Sequence, residues 1–138
     1  SYFKLRKYYD AIADYNKALS LNSKKPDYHY MKGMSLKLLG RYKDAISNFT
    51  KAINLKSNNK YYYTNRAYCC DKSGLYENNQ KQIIDDYTSA INIDPKHGVA
   101  YRNRGVAKKK SGKYSSSNYK KDYKLACKYG ETDCCDWY

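Results

Sequence analysis

Three columns of small and aromatic residues recur in step along this chain, and this repetition limits its fold more than any other feature. One column is a Gly followed two positions later by Tyr, at Gly40, Gly74 and Gly112; another is a small residue at Gly33, Ala67 and Gly105. The third is an aromatic residue three positions before an Ala, at Tyr15, Phe49, Tyr87 and Tyr123. Successive copies are about 34 to 38 residues apart, which is the length of a repeated supersecondary unit.

Within one copy, the spacing predicts two antiparallel helices. Gly33 and Gly40 lie seven residues apart, or two turns on one helix face, and a Gly at the end of that helix suits its C-cap. Ala45, Phe49 and Ala52 follow at intervals of four and three, so they form one stripe of a second helix. Small residues in these stripes let a neighbouring helix approach closely. We therefore predict an all-α solenoid of antiparallel helix pairs without strands.

Composition alone would give a different answer. Leu, Ile, Val and Phe account for only 20 of the 138 residues, and the net charge is +14, a combination typical of disordered chains. The repeated columns resolve this conflict, because they place many of the 19 Tyr and the Ala residues at core positions. No apolar stretch of 18 residues occurs, so no membrane-spanning helix is expected.

The pattern resembles the tetratricopeptide repeat family, whose unit has 34 residues in two antiparallel helices. The resemblance implies a single domain, residues 1–138, wound as a right-handed superhelix. Its predicted units are residues 1–25 (a partial repeat), 26–59 (a full repeat), 60–97 (four extra residues), 98–130 (two extra residues) and 131–138 (a terminal capping helix).

Each departure from the repeat carries its own expectation. In the partial repeat, Ser1 to Lys4 should be the end of a first helix. Four extra residues between Glu77 and Ile84 are about one helical turn, so they should lengthen a second helix. The two extra residues near Ser115–Ser117 should form a loop, followed by a helix with a Ser N-cap.

The sequence contains no recognisable catalytic or metal motif. His29 and His97 have no Cys or carboxylate at ligand spacing. There is no Gly-rich phosphate loop and no nucleophile motif, and we expect the Asp85–Asp86 pair on an exposed helix face. We therefore predict no enzyme, no metal site and no cofactor.

The five cysteines leave two interpretations open. Cys69 and Cys70 are adjacent in a helix, so one should be core and the other partly exposed. Cys127 and Cys135 flank Gly130, and a helical hairpin there can bring them within disulfide reach; this spacing also resembles the bridged hairpins of Sel1-like repeat proteins. Reduced, buried cysteines are the alternative, and Cys134 is the rival partner of Cys127. A bridge would favour a secreted or periplasmic location, and its absence the cytoplasm.

Positive charge is concentrated in the last repeat. Between Val99 and Gly130, ten Lys and Arg residues stand against one Asp. Such a basic lobe would attract an acidic peptide, a nucleic acid or an anionic lipid surface. A solvated face without any ligand is the other interpretation.

The resemblance also implies where a partner would bind. In the family, the first helices line a concave groove that holds an extended segment of another protein. The matching positions here are aromatic at one end and cationic at the other: Tyr30, Met34, Lys37, Tyr61, Asn65, Tyr68, Lys72, Arg102, Val106, Lys109 and Lys110. Family members that bind chaperone C-terminal tails hold the carboxylate with Lys, Asn and Arg; of the corresponding residues here, only Asn65 fits.

Two functions follow as hypotheses. The first is a protein–protein interaction module that binds an acidic segment or an assembly partner in the groove. The alternative is nucleic-acid or polyanion binding through the basic C-terminal repeat. The apolar stripe of Tyr8, Ile12, Tyr15 and Leu19 would normally pack against a complete first helix. Because the partial repeat keeps only the end of that helix, the stripe predicts self-association through the N-terminal end or a longer native chain.

Overall fold

The computed structural model describes residues 1–74 and 80–138. Within these ranges the chain forms seven α-helices and one short 3-10 helix, and no strand. The α-helices are α1 (Tyr2–Leu21), α2 (Pro26–Leu38), α3 (Tyr42–Leu55), α4 (Lys60–Ser73), α5 (Gln80–Ile93), α6 (Gly98–Ser111) and α7 (Ser116–Lys128), and the 3-10 helix is Thr132–Cys134. Each α-helix packs against the next along the chain, so the fold is the predicted all-α helical-repeat superhelix.

Tyr and Ala form much of the core, as the repeated columns predict. In α3, Ala45, Phe49 and Ala52 are fully buried. The matching stripes of α5 and α7 are buried in the same way, through Tyr87 and Ala90 and through Tyr123 and Ala126. These stripes supply the apolar contact area that Leu and Val provide in most proteins.

Two glycines allow the helices of a pair to approach closely. A Cβ at Gly33 would lie 2.7 Å from the Phe49 ring, and one at Gly105 would lie 2.6 Å from the Tyr123 ring. The helices α4 and α6 end at Gly74 and Gly112, whose φ angles of 64° and 65° lie in the left-handed region. Glycine adopts this conformation without steric cost.

Buried Arg–Asp ion pairs recur close to the places where one repeat meets the next. They were not predicted from the sequence. Arg66 of α4 donates to both carboxylate oxygens of Asp86 in α5, at 2.8 and 2.7 Å, and to Thr50 of α3 at 3.2 Å. Arg104 of α6 repeats this set with Asp122 of α7, at 3.0 and 2.7 Å, and with Thr88 of α5 at 3.2 Å. We call each set of Arg, Asp and Thr a junction triad.

The junction triads correct one expectation. Asp85 is exposed and pairs with Lys81 at 2.7 Å, but Asp86 is only 2% exposed. The expectation that both carboxylates lie on an exposed face is therefore wrong for Asp86. Adjacent helical residues point about 100° apart, so Asp86 lies next to the buried Tyr87 stripe.

The N-terminal segment also differs from the expectation. A single helix, α1, runs from Tyr2 to Leu21, so the expected end of a separate first helix at Ser1–Lys4 is wrong. The residues between Phe3 and Arg6 include no Gly or Pro that would end a helix. The stripe of Tyr8, Ile12, Tyr15 and Leu19 lies partly buried on α1.

The later units of the chain differ less from what was expected. Ser115 is the N-cap of α7 as expected, although its side chain makes no capping hydrogen bond. Tyr76 and part of the four-residue insertion, Glu77 to Asn79, lie outside the described residues. In the C-terminal segment, the expected helix over residues 131–138 is only one 3-10 turn. Trp137 nevertheless packs edge-on against Tyr123, with ring centroids 5.2 Å apart.

The structure joins Cys127 to Cys135 by a disulfide across the turn at Gly130, with Cα atoms 5.0 Å apart. Cys134, the rival partner, is buried, and its thiol donates to the carbonyl oxygen of Glu131 at 3.0 Å. Cys69 and Cys70 are both buried, so the expectation that one is partly exposed is wrong. Their helix, α4, packs against both α3 and α5, and each covers one of the two side chains.

Candidate functional site

A cavity of about 400 Å³ lies along the side of the molecule that the first helices of the repeats line. The helices α2, α4 and α6 supply its walls, and α5 supplies Ile83 and Tyr87 beneath them. Six of the predicted groove residues line it: Lys37, Asn65, Tyr68, Lys72, Arg102 and Val106. We call this cavity, with its lining residues, the groove cavity.

The remaining predicted groove residues lie elsewhere. Tyr30 and Met34 are partly buried against the core around Leu36 and Phe49, so they act as packing residues. Tyr61 is half-exposed and meets His97 edge-on, with ring centroids 5.9 Å apart. Lys109 and Lys110 line a second cavity of about 560 Å³, together with Val106, Tyr123 and Trp137.

Lys37 is a cation of the groove cavity whose contacts in the described part of the chain are all with neutral groups. Its Nζ atom donates to the neutral Oδ1 of Asn65 at 2.6 Å and lies 5.2 Å from the centre of the Tyr68 ring. Burial lowers the pKa of Lys37 below its ordinary value, because the charged form loses hydration. Among the residues that the structure describes, no carboxylate pairs with it, so the groove cavity contains a partly desolvated positive charge.

Asn65 holds Lys37 in place through several contacts. Its Nδ2 atom donates to the Tyr61 carbonyl oxygen at 2.8 Å and to the Tyr30 hydroxyl at 3.4 Å. These bonds orient the amide so that its oxygen faces the Lys37 ammonium group. Tyr30 therefore supports the groove cavity from the core side.

Two other predicted cations already have carboxylate partners in the molecule. Arg102 pairs with Glu131 at 2.9 Å and with Asp133 at 3.0 Å, both in the C-terminal segment. Lys110 of α6 pairs with Asp71 of α4 at 3.0 Å. These two cations are therefore less available to an incoming anion than the sequence suggested.

An aromatic ring and a second lysine lie beside Lys37. Tyr68 is 37% exposed, and the Nζ of Lys72 lies 5.7 Å from the centre of its ring. Lys37 and Lys72 thus place two cations near the Tyr68 ring. A ligand there can contact positive charge and apolar surface together.

Several lining residues of the groove cavity were not predicted from the sequence, among them Asn103 of α6 and Ile83 and Tyr87 of α5. Burial raises the pKa of the Tyr87 hydroxyl, which lies in the floor of the cavity. A signal for Asn103 was present, because Asn65–Arg66 and Asn103–Arg104 occupy the same place in successive repeats. Ile83 and Tyr87 belong to a second helix, which the family pattern assigns to the core.

The histidines have packing surroundings. The Nε2 atom of His29 lies 2.8 Å from the Ser23 carbonyl oxygen. In His97, Nε2 lies 3.1 Å from the Thr64 hydroxyl, and burial lowers the pKa of the ring. The described ranges contain no group of three or more His, Cys, Asp or Glu residues that could hold a metal ion. No helix in the described part of the chain has the length and apolar character needed to cross a membrane.

Two family models match the chain, and both describe a tetratricopeptide repeat. One covers residues 26–59 and the other residues 1–25. Among curated proteins, none matches the chain in sequence.

Solved structures share the fold over most of the chain. One of them, MamA, is 23% identical with a TM-score of 0.80, and the match covers 91% of this chain and 70% of that one. The tetratricopeptide repeat domain of Arabidopsis OM64 is 26% identical with a TM-score of 0.69, over 78% of this chain and 84% of that domain. In a second MamA structure, the match spans 66% of that protein's chain.

A third similar structure includes a ligand. It is the first tetratricopeptide repeat domain of Spaghetti (RPAP3) bound to the HSP90 peptide SRMEEVD, 24% identical with a TM-score of 0.69 over 80% of this chain and 82% of that one. Domains of this kind are protein–protein interaction modules and typically not enzymes. The repeated columns, the paired helices and both model matches support the assignment of the chain to the tetratricopeptide repeat family.

Proposed function

We propose that this protein is an interaction module whose groove cavity binds an acidic segment of a partner protein, with Lys37 as the main contact. The observation that carries the proposal is the state of Lys37, a partly desolvated cation whose hydrogen-bond acceptor is neutral. A carboxylate from a partner would supply the missing counter-charge inside a preformed cavity.

Lys37 differs from the neighbouring cations because its hydrogen-bond acceptor is neutral. Arg102 and Lys110 already pair with Glu131, Asp133 and Asp71, so a new carboxylate there must compete with an existing one. At Lys37 the folded protein has already lost part of the hydration of the ammonium group, and a charge-assisted hydrogen bond would recover that loss. Lys37 should therefore contribute more to binding than the paired cations.

Tyr68 and Lys72 suggest the rest of the recognised segment. A carboxylate at Lys37 would bring the adjoining side chain of the ligand over the half-exposed Tyr68 ring. Tyrosine provides contact area at a low entropy cost, and the Nζ of Lys72 lies 5.7 Å from the centre of the same ring. We infer a ligand in which acidic residues flank an apolar or aromatic residue.

The peptide bound to the similar RPAP3 domain, SRMEEVD, is also rich in Glu and Asp. That likeness supports the acidic character of the ligand, although it does not extend to the tail-binding residues. Of the positions that match the carboxylate-holding residues of tail-binding members, only Asn65 agrees, and here it bonds to Lys37. We therefore propose an acidic segment held by a different set of residues.

The test is a peptide library in which Asp and Glu flank a varied central residue. The tightest peptide is labelled with fluorescein, and its dissociation constant is measured by fluorescence anisotropy. Lys37→Gln should weaken binding about 10- to 100-fold, because a charge-assisted hydrogen bond is lost. Lys51→Gln removes the same charge from an exposed position of α3 and should change the constant less than about twofold.

Equal weakening by both variants would contradict the groove as the site. A single-stranded DNA homopolymer serves as the competing probe at low and high salt. The contrary outcome is that the DNA binds as well as the peptide and both complexes dissociate at high salt. In that case the basic residues between Val99 and Gly130 are responsible, and the polyanion alternative replaces the proposal.

A further inference from the structure

The first repeat junction has the positions of a junction triad but lacks its carboxylate. Gly33, Ala67 and Gly105 are equivalent, so Lys32 stands where Arg66 and Arg104 stand. Phe49, Tyr87 and Tyr123 are equivalent, so Asn48 stands where Asp86 and Asp122 stand. By the same alignment Asn16 of α1 replaces Thr50 and Thr88. The cation is therefore kept at this junction, while the acidic residue is replaced by a neutral amide.

A cavity of about 230 Å³ lies at this junction, between α1, α2 and α3. Its polar lining consists of Asn16, Lys32, Arg41, Asp44, Ser47 and Asn48. Asn48 is 7% exposed, and its Nδ2 atom donates to the Asp44 carbonyl oxygen at 2.9 Å. The cavity is thus lined by an ammonium group, a guanidinium group, a hydroxyl and two amides, all of which can donate hydrogen bonds.

The single acidic residue of the lining is already neutralised. The carboxylate of Asp44 accepts from Arg41 Nε at 2.9 Å and lies 2.6 Å from Arg41 Nη2. In the described part of the chain, Lys32 forms no hydrogen bond or ion pair. Burial is the main cause that lowers the pKa of Lys32; the positive charges of Lys51 and Arg41 lower it further, and the carboxylate of Asp44 opposes them. Lys32 and Lys51 therefore leave an excess of positive charge around the cavity.

We propose that this junction cavity binds a phosphate group, which supplies the negative charge that the Asp carboxylate supplies in the two junction triads. A phosphate dianion matches the excess charge of Lys32 and Lys51 more closely than a carboxylate would. Lys32 contacts it as a charged donor, and Ser47 and Asn16 supply neutral donors at the rim. The site lies between the second helices and is separate from the groove cavity, so it is independent of the function proposed above.

Thermal unfolding with inorganic phosphate tests the proposal, with sodium chloride keeping the ionic strength constant. The unfolding temperature of the unchanged protein should rise with phosphate and follow a saturable curve, by about 3–6 °C at ten times the dissociation constant. Lys32→Gln should abolish the saturable rise. Asn48→Asp restores a triad-like carboxylate beside Lys32 and should also abolish it, because the internal acid then neutralises Lys32 and repels phosphate.

Phosphate also stabilises proteins in general by exclusion from their surface, so the difference between variants is the decisive quantity. Equal rises in the unchanged protein and in both variants would overturn the proposal. If Asn48→Asp fails to fold, Lys32→Gln still decides the question, with Lys17→Gln on the exposed face of α1 as the matched control. Glycerol 3-phosphate distinguishes a phosphomonoester from the free phosphate ion as the ligand. If it raises the unfolding temperature as much as inorganic phosphate does, the ligand is a phosphomonoester. If only inorganic phosphate raises the unfolding temperature, the ligand is the free ion.

Discussion

Burial raises the pKa of several acidic side chains in the middle of the stack. The pKa of Cys69 rises to about 12, that of Cys70 to about 11 and that of Tyr62 to about 12, in each case mainly because burial penalises the charged form. Nearby charges act in both directions: Lys37 opposes the rise at Cys69, Arg66 opposes it at Cys70, and Asp86 adds to it there. At neutral pH these groups are therefore protonated and unreactive.

These shifts predict a loss of stability in alkali. The folded pKa values lie above the unfolded values of 9.0 for Cys and 10.0 for Tyr, so the unfolded chain releases protons first as the pH rises. The contribution of these groups is complete below about pH 8 and is lost between about pH 9 and 12, with a slope of about 1.4 kcal/mol per pH unit for each group. Denaturant titrations at several pH values measure it.

The double variant Cys69→Ala with Cys70→Ala is the control for this prediction. Its unfolding free energy should fall less steeply between pH 9 and 11, because the two thiols no longer contribute. Identical slopes in the two proteins would show that the buried thiols are not responsible.

At the scale of the helices, the two junction triads tie the repeats 60–97 and 98–130 each to the repeat before it. The Arg of a first helix bonds to the Asp of its own second helix and to the Thr of the preceding second helix, so three helices meet at one guanidinium group. At the last junction Lys108 joins the set, with its Nζ 2.8 Å from Asp122. Such buried pairs act as specific links between helices whose apolar stripes are similar to one another.

Adjacent carboxylates in α5 provide a matched test of this role. Asp86→Ala should lower the free energy of unfolding by about 3–5 kcal/mol, because it leaves the mostly buried Arg66 without its partner. Asp85→Ala, one position earlier, removes only a surface pair with Lys81 and should cost less than about 1 kcal/mol. Chemical denaturation measures both, and similar losses would contradict the structural role of the triad.

At the scale of the whole molecule, one end of the stack exposes a large apolar surface. Tyr2 and Phe3 are 82% and 79% exposed, and Leu5 and Tyr9 on the same helix are about half exposed. Patches of this kind are typical of surfaces that contact another protein. A second copy of the chain could cover this face of α1 without disturbing the core, since no residue of α1 is fully buried.

The exposed face of α1 predicts self-association that increases with concentration. Sedimentation velocity at low and high micromolar concentration should show a dimer, and Leu5→Lys with Tyr9→Lys should prevent it. Both positions are exposed, so the fold should survive, and an unchanged circular dichroism spectrum checks this. A protein that stays monomeric at every concentration would refute the prediction.

The repeated columns were sufficient to predict the fold. Small residues at Gly33 and Gly105 and aromatic residues at Phe49 and Tyr123 are local requirements of close helix packing, so their spacing is visible in the chain itself. The same columns showed that Tyr and Ala build the core, which composition alone did not reveal. The family resemblance indicated which helices line the groove, and six of the residues predicted in this way line its cavity.

Only the tertiary structure decided which charges are available and which are already paired. Arg102 meets Glu131 and Asp133, and Arg66 meets Asp86, about 20 to 30 residues away along the chain. Arg66 and Asp86 recur in register as Arg104 and Asp122, but their pairing, like that of Arg102, depends on how the helices rotate and approach one another. Helix rotation also partly buried Tyr30 and Met34 and left Lys37 without a carboxylate partner among the described residues. The sequence by itself determined the repeat and its core, because these rest on contacts between residues three or four positions apart and between adjacent helices; the chemistry of the groove rests on distances between separate repeats, which only folding sets.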